Sequence, residues 1–370
     1  MSRLRAALLE HGARFSAAGG VERSASLGDS GAEYGALRAT VGLLDQSFRD
    51  RVRVAGRDRI EFLNGMVTND VARLKAGQGV YTAAVNVKGK MLADGRIYCL
   101  ADSLLLDLEP GVAATLVPHL DRYIIAADVV LQVVNATTAM LSLYGPRAAA
   151  VVDALLGPPP PTEQEFARVP FGTDAVLVSR NDVTGGPGYD LIVSSDDADE
   201  LWRRLLDAGR SHGIRPVGHD ALEVARIEAG IPRFGVDLDE HYFPMEARLE
   251  NRAISFTKGC YLGQEVIARG STLGRMNRLL VGLELDGAAV PPHGAEIVQD
   301  GVRLGVVTGA CFSPARAKVI ALGYVRTEAS RAGTVIAVAT ANGSISGVVR
   351  DLPFFTIPGG SVAVPAEARA

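Results

Sequence analysis

The sequence predicts an α+β protein built as three units, the last an antiparallel β-barrel. Three observations carry that expectation. A chain of 370 residues exceeds one ordinary domain. The order strand, glycine, polar residues, short helix occurs at residues 52–57 and again at 139–147, which reads as a degenerate internal duplication. From Leu279 the texture changes to short strands separated by turns, with Asp300-Gly301 and Asn342-Gly343 as hairpin signals. The units are placed at 1–135, 136–278 and 279–370.

Residues 1–35 are rich in Ala, Gly and Ser after a short helical start, and order begins near Leu37. Residues 48–54 alternate apolar and polar side chains as a strand does, and Gly56 ends the run. Asp58 opens a short helix, with Glu61 three residues on as in a capping box and Ile60 and Leu63 facing the core. Residues 80–87 and 91–100 read as paired strands joined by the tight connection Lys88-Gly89-Lys90. Strand 104–108 precedes a helix over 112–123, and 124–134 returns to strand character. In the second unit, strands at 175–179 and 189–193 precede a helix capped by Ser195, in which Leu201, Trp202, Leu205 and Leu206 recur at helical spacing. Asp220 caps a further helix through Ala229, with Glu223 at the capping-box position; Gly230 ends it and Pro232 blocks continuation. Six short strands between 279 and 349 build the barrel, and the tail after Pro358 frays.

The chain is 48% hydrophobic and 22% charged, ordinary for a globular protein. A net charge of −4 and a pI near 5.9 argue against a general nucleic-acid binder. The three cysteines, Cys99, Cys260 and Cys311, are far apart and form no C-x-x-C pair, which excludes a zinc ribbon or a cluster-ligand run and fits a reducing cytosol. The six histidines show no H-x-x-x-H spacing of a metalloprotease. No stretch is apolar enough to span a membrane, and the first ten residues lack a signal-peptide core.

The most concentrated run of special residue types is Thr257 to Arg269. Gly259 and Gly263 permit sharp turns, and Lys258 can favour the thiolate of Cys260. Gln264 and Glu265 add an amide and a carboxylate. Cys260 is the candidate functional thiol; a small buried hydrophobe is the alternative. The octapeptide Lys258-Gly259-Cys260-Tyr261-Leu262-Gly263-Gln264-Glu265 resembles the signature of the YgfZ family, folate-binding proteins that support iron–sulfur enzymes and are relatives of the glycine-cleavage aminomethyltransferase, the T-protein. Further blocks are similar to the same group: residues 41–47, Thr68-Asn69-Asp70-Val71 with Gly79-Val80-Tyr81, Gly188-Tyr189-Asp190, residues 226–232, and the barrel segments 305–309 and 312–314.

The resemblance implies an aminomethyltransferase-like fold of three domains around a central channel for tetrahydrofolate. It places Glu228 and Asp190 on the pterin, whose adjacent N–H groups a carboxylate accepts together. It leaves Tyr261 to stack on the ring or pack inside, and Lys258, Gln264 and Arg269 as further folate-binding candidates. The T-protein carries two adjacent aspartates after an asparagine and a glycine pair, the first tied to its chemistry; here Ala93 stands first, Asp94 second, and Lys90 replaces the second glycine. A methyl group cannot take up a proton. The implied role is therefore a cytoplasmic, tetrahydrofolate-dependent accessory factor for iron–sulfur client proteins, including tRNA-modifying ones. The alternatives are an aminomethyltransferase acting on tetrahydrofolate and a folate-independent interaction protein.

Overall fold

The computed structural model describes residues 4–18, 20–272, 276–340 and 343–360. Among the described residues, two large antiparallel-rich sheets, one closed barrel and a two-stranded ribbon of Arg14–Ala18 with Val21–Ser26 make up the architecture. The five-stranded sheet runs in the order Gly79–Val85, Met91–Cys99, Leu104–Leu108, Asp50–Ala55, Val130–Val133. The six-stranded sheet runs Phe166–Phe171, Asp174–Arg180, Gly188–Ser194, Thr138–Tyr144, Val41–Asp45, Ile214–Pro216, with only the last pair parallel. The strand Val41–Asp45 thus joins the sheet formed mainly by residues 138–216, across the 135/136 boundary drawn from the sequence.

Side-chain alternation decides what each sheet face meets. In Met91–Cys99, the odd positions Ala93, Ile97 and Cys99 pack with Leu63, Leu106 and Leu116 beneath the helices Arg59–Met66 and Ala113–Asp121. The even position Tyr98 packs with Leu105, Met140, Phe166, Leu177 and Ile192, so the two sheets face one another through an apolar patch. Helices Ala148–Leu156 and Ala198–Gly209 cover the far face of the six-stranded sheet, with Leu201, Trp202 and Leu205 buried as their spacing predicts. The barrel closes through Arg278–Leu285, Lys318–Arg326, Val302–Ser313, Glu296–Gln299, Val335–Thr340 and Gly343–Arg350. Asp300 and Gly301 sit at positive φ in the first hairpin, as a primed turn requires; Asn342 of the second lies outside the described residues. The α+β class and the C-terminal barrel hold.

The expected helix caps do not. Asp58, Ser195 and Asp220 make no side-chain cap bond. Asp58 Oδ2 instead accepts from the Asp128 backbone N–H at 2.8 Å, and Glu223 turns to Arg226. The helix His219–Glu228 starts from Gly218, whose N–H is taken by Glu33 Oε2 at 2.7 Å. At the buried start of this last helix a carboxylate from another segment takes the place of the local cap.

Candidate functional site

The same alternation opens a polar cavity. Beyond Tyr98, the even positions Asp94 and Arg96 no longer meet apolar side chains; they line a space whose opposite wall includes Tyr144 and Asn181. A larger space shares Tyr81, Arg96, Ile231, Pro232 and Arg252 with it, so the two adjoin. The helix His219–Glu228 turns His219, Leu222, Glu223 and Arg226 into the first space, one face at helical spacing.

The charged lining is almost fully paired. Glu163 accepts from Arg96 at 3.0 Å and from Arg252 at 3.3 Å; burial would raise its carboxyl, but Arg96 and then Arg252 outweigh that and hold it at about 2. Arg49 pairs with Asp107 at 2.8 Å and with Glu109. Arg226 pairs with Asp237 at 2.8 Å and with Glu223. Asp94 is the exception. Its Oδ2 accepts from the Tyr81 hydroxyl, while Oδ1 is buried and has no hydrogen-bond partner among the described residues. Burial, opposed by the Tyr81 bond and aided by Glu109, lifts its carboxyl to about 6. His219 Nε2 and Arg233 Nε are also buried and unpartnered around the same space. A cavity with a poised carboxylate and a few open polar atoms is built to hold a polar ligand.

This corrects the reading of positions 93 and 94. Ala93 lies opposite Ala84 and points into the apolar core between sheet and helices. A carboxylate there would face Ile97 and Leu116, not a ligand. Asp94 is the strand's carboxylate in the cavity, so alanine at 93 removes nothing from the site.

Other sequence-selected residues lie elsewhere. Glu228 is fully buried and saturated: Arg38, the Tyr34 hydroxyl at 2.9 Å and the Ser313 hydroxyl all donate to it. It ties the helix Ser30–Ala39 and the barrel to the end of its own helix and lines neither cavity. Asp190 is likewise inside the wall. It accepts from Ser142 Oγ at 2.6 Å, Tyr144 Oη at 2.9 Å and Asn181 Nδ2 at 2.6 Å, and so orients Tyr144 and Asn181, which do reach the space. Each of these carboxylates is fully buried and engaged by three protein donors, and neither lines the cavities, which makes both of them braces of the wall.

Among the described residues, none from Thr257 to Arg269 lines either cavity. Lys258 is buried, and its ammonium donates to the carbonyls of Asn64 at 2.5 Å, Val67 at 2.8 Å and Asn69 at 2.8 Å. Burial pushes it down to about 8, opposed by the negative charge of Asp70. Tyr261 packs with its ring 5.0 Å from that ammonium, its hydroxyl pushed to about 12 by burial. Gln264 Oε1 accepts from the Tyr261 N–H at 3.3 Å, and Arg269 makes an exposed pair with Glu265. Gly263 has φ +78°, and a Cβ there would stand 2.5 Å from the Asn86 carbonyl oxygen, so this glycine is required by close approach. The stretch fastens the turn after helix Arg59–Met66; it brings no group to the cavity. Cys260 is exposed at the surface, not a buried hydrophobe. Sequence reasoning passed over Tyr81, Arg96, Glu163, His219 and Arg252. For Arg96 the signal was available, two residues from Asp94 on the same strand face.

Three outcomes are expected. Asp94→Asn should stabilise the protein at pH 7 by up to about 3 kcal/mol, the cost of charging a carboxyl held at about 6 in the fold against 3.8 unfolded. Because the folded value is raised, that difference should vanish below about pH 4 and reach its full size above about pH 6; urea titrations at several pH values measure it. Glu228→Ala should cost about 3–5 kcal/mol in the same assay, because it strands the Arg38 guanidinium. In thiol labelling, Cys260 should react well ahead of Cys99 and Cys311, whose thiols burial pushes up, Cys311 to about 12.

Comparisons with known proteins agree with this architecture. Residues 4–258 match the GCVT N-terminal domain and 278–356 the glycine cleavage T-protein C-terminal barrel domain. The chain is 33% identical over 328 residues to the aminomethyltransferase of Halothermothrix orenii, covering 87% of this chain and 90% of that protein. With the aminomethyltransferase of Bacillus subtilis it shares 30% over 351 residues, 94% of this chain and 96% of the other. The crystal structure of the glycine cleavage system aminomethyltransferase T from Bartonella henselae superposes with a TM-score of 0.86 at 26% identity, covering 95% of this chain and 97% of that one. These findings overturn the accessory role for iron–sulfur enzymes expected from the sequence and favour its enzyme alternative. The chain belongs to the glycine-cleavage T-protein family.

Proposed function

We propose that this protein is an aminomethyltransferase that moves a one-carbon unit from an aminomethylated carrier protein to tetrahydrofolate in the cavity between the sheets. The observation that carries this reading is Asp94: a buried carboxylate in the cavity lining, with one oxygen held by Tyr81 and the other without a partner among the described residues. Tetrahydrofolate, when bound, supplies the nitrogen atoms that accept the one-carbon unit. The chain's own contribution is to hold and move a proton. With its carboxyl at about 6, Asp94 is mostly ionised at neutral pH, yet close enough to neutrality to accept a proton and release it. Tyr81 fixes its orientation, and the Arg252 guanidinium lies 4.5 Å from the Tyr81 ring centre, which holds that ring in place.

The lining suits a folate in kind. Open acceptors at Asp94 and His219 match the N–H groups of a pterin. Arg233, with an unpartnered Nε, supplies positive charge for the carboxylates of the glutamate tail. The likeness of Lys258–Glu265 to the YgfZ signature adds no lining group, and the reading does not draw on it. Three unpaired thiols fit a cytoplasmic setting.

An assay with aminomethylated carrier protein and tetrahydrofolate tests the proposal. Wild-type protein should turn over, and Asp94→Asn should lower kcat by about a hundredfold or more, the range typical of removing a general base. No turnover by well-folded wild-type protein, with substrates that a known T-protein consumes, would overturn it.

A further inference from the structure

The helix His219–Glu228 begins with a histidine that none of the ion-pair chemistry around the cavity uses. His219 is 3% exposed and lines the space that Asp94 also lines. Its Nδ1 lies 3.0 Å from the backbone carbonyl oxygen of Ser24. A carbonyl can only accept, so Nδ1 carries the proton and the neutral ring offers Nε2 as a bare acceptor. Nε2 is buried and has no partner among the described residues. The Phe48 ring meets the imidazole at 4.7 Å, edge on, and fixes its plane. Burial, partly offset by the Ser24 carbonyl, holds the ring at about 4, so it is uncharged at neutral pH.

A buried acceptor left open is a net cost to the fold unless something fills it. The segment Val21–Ser26 and the loop carrying Phe48 hold the ring from outside the helix, which fixes both tautomer and orientation. We propose that His219 is a ligand-reading residue: its Nε2 accepts a hydrogen bond from an N–H of the bound folate's pterin, at a point of the cavity lining separate from Asp94. This rests on the folate reading above and assigns it a residue whose role is recognition, not proton transfer. A ring held neutral is a weak base but a good fixed acceptor.

The test uses the full-length protein with histidine labelled at its ring nitrogens with 15N, titrated with tetrahydrofolate under reducing conditions. The His219→Gln spectrum identifies the His219 signals by their absence. Free protein should show an unprotonated Nε2 and a protonated Nδ1. On saturation the Nε2 resonance should move in the direction of a nitrogen that accepts a hydrogen bond, while Nδ1 stays. In parallel calorimetry, His219→Phe should weaken tetrahydrofolate binding about tenfold, and His219→Gln, which keeps an acceptor, should recover most of it. Thermal scans of both variants separate lost recognition from lost folding. Saturable binding with an unmoved Nε2 resonance, or equal affinity in a folded His219→Phe, overturns the role of His219 and leaves the folate reading standing. Absence of any binding heat overturns both.

Discussion

The carboxylate of Glu163 holds the functional region together. It neutralises two guanidiniums, Arg96 from the five-stranded sheet and Arg252 from the helix Glu250–Ala253. Neither cation could stay beside a buried cavity without that partner, because an uncompensated buried charge costs several kcal/mol, or about the whole margin of a domain's stability. Once Arg252 is held, its guanidinium packs over Tyr81, and Tyr81 in turn donates to Asp94. Arg96 also donates to Asn181, whose amide donates to Asp190. One carboxylate therefore sets the positions of side chains on both sheets.

The cavity exists because the two sheets face each other with different chemistry at their two ends. At one end Tyr98, Leu105, Met140 and Ile192 close the gap with apolar contact. At the other, Asp94, Arg96, Tyr144 and Asn181 are polar and cannot close it by packing. Most of those groups find partners within the protein. The atoms left over, Asp94 Oδ1, His219 Nε2 and Arg233 Nε, are few and buried. That contrast between a saturated wall and a few open atoms is what gives a polar cavity selectivity, since a ligand that fails to fill them leaves buried groups unsatisfied.

The Lys258–Glu265 stretch serves this region from a distance. Its ammonium gathers the carbonyls of Asn64, in the last turn of helix Arg59–Met66, and of Val67 and Asn69, in the turn before strand Gly79–Val85. Asn69 in that turn donates to the carbonyls of Tyr81 and Arg252, at 2.9 and 3.1 Å. A lysine buried among carbonyls is thus a fastener one step from the larger cavity, which Asn69 lines, while no residue of the stretch itself lines either space.

Much of the architecture was legible in the sequence by itself. The 3.6-residue recurrence of Leu201, Trp202 and Leu205, the alternation of the sheet strands and the Asp-Gly turn all follow from local sterics and from one face of each element needing burial. The motif blocks also led to the T-protein relatives, but the comparisons do not support the YgfZ branch that the octapeptide suggested. What the sequence left open was which polar residue meets which other. Glu228 and Asp190 read as ligand carboxylates, yet tertiary structure engages them with Arg38, Tyr34, Ser313, Ser142, Tyr144 and Asn181, from segments up to 194 residues away. Ala93 read as a lost carboxylate, yet the phase of its strand turns it into the core and gives the cavity to Asp94. Local patterning reports whether a side chain is apolar and how often it recurs. It carries no record of long-range hydrogen-bond partners, and those partners decide whether a buried carboxylate is a brace or a site.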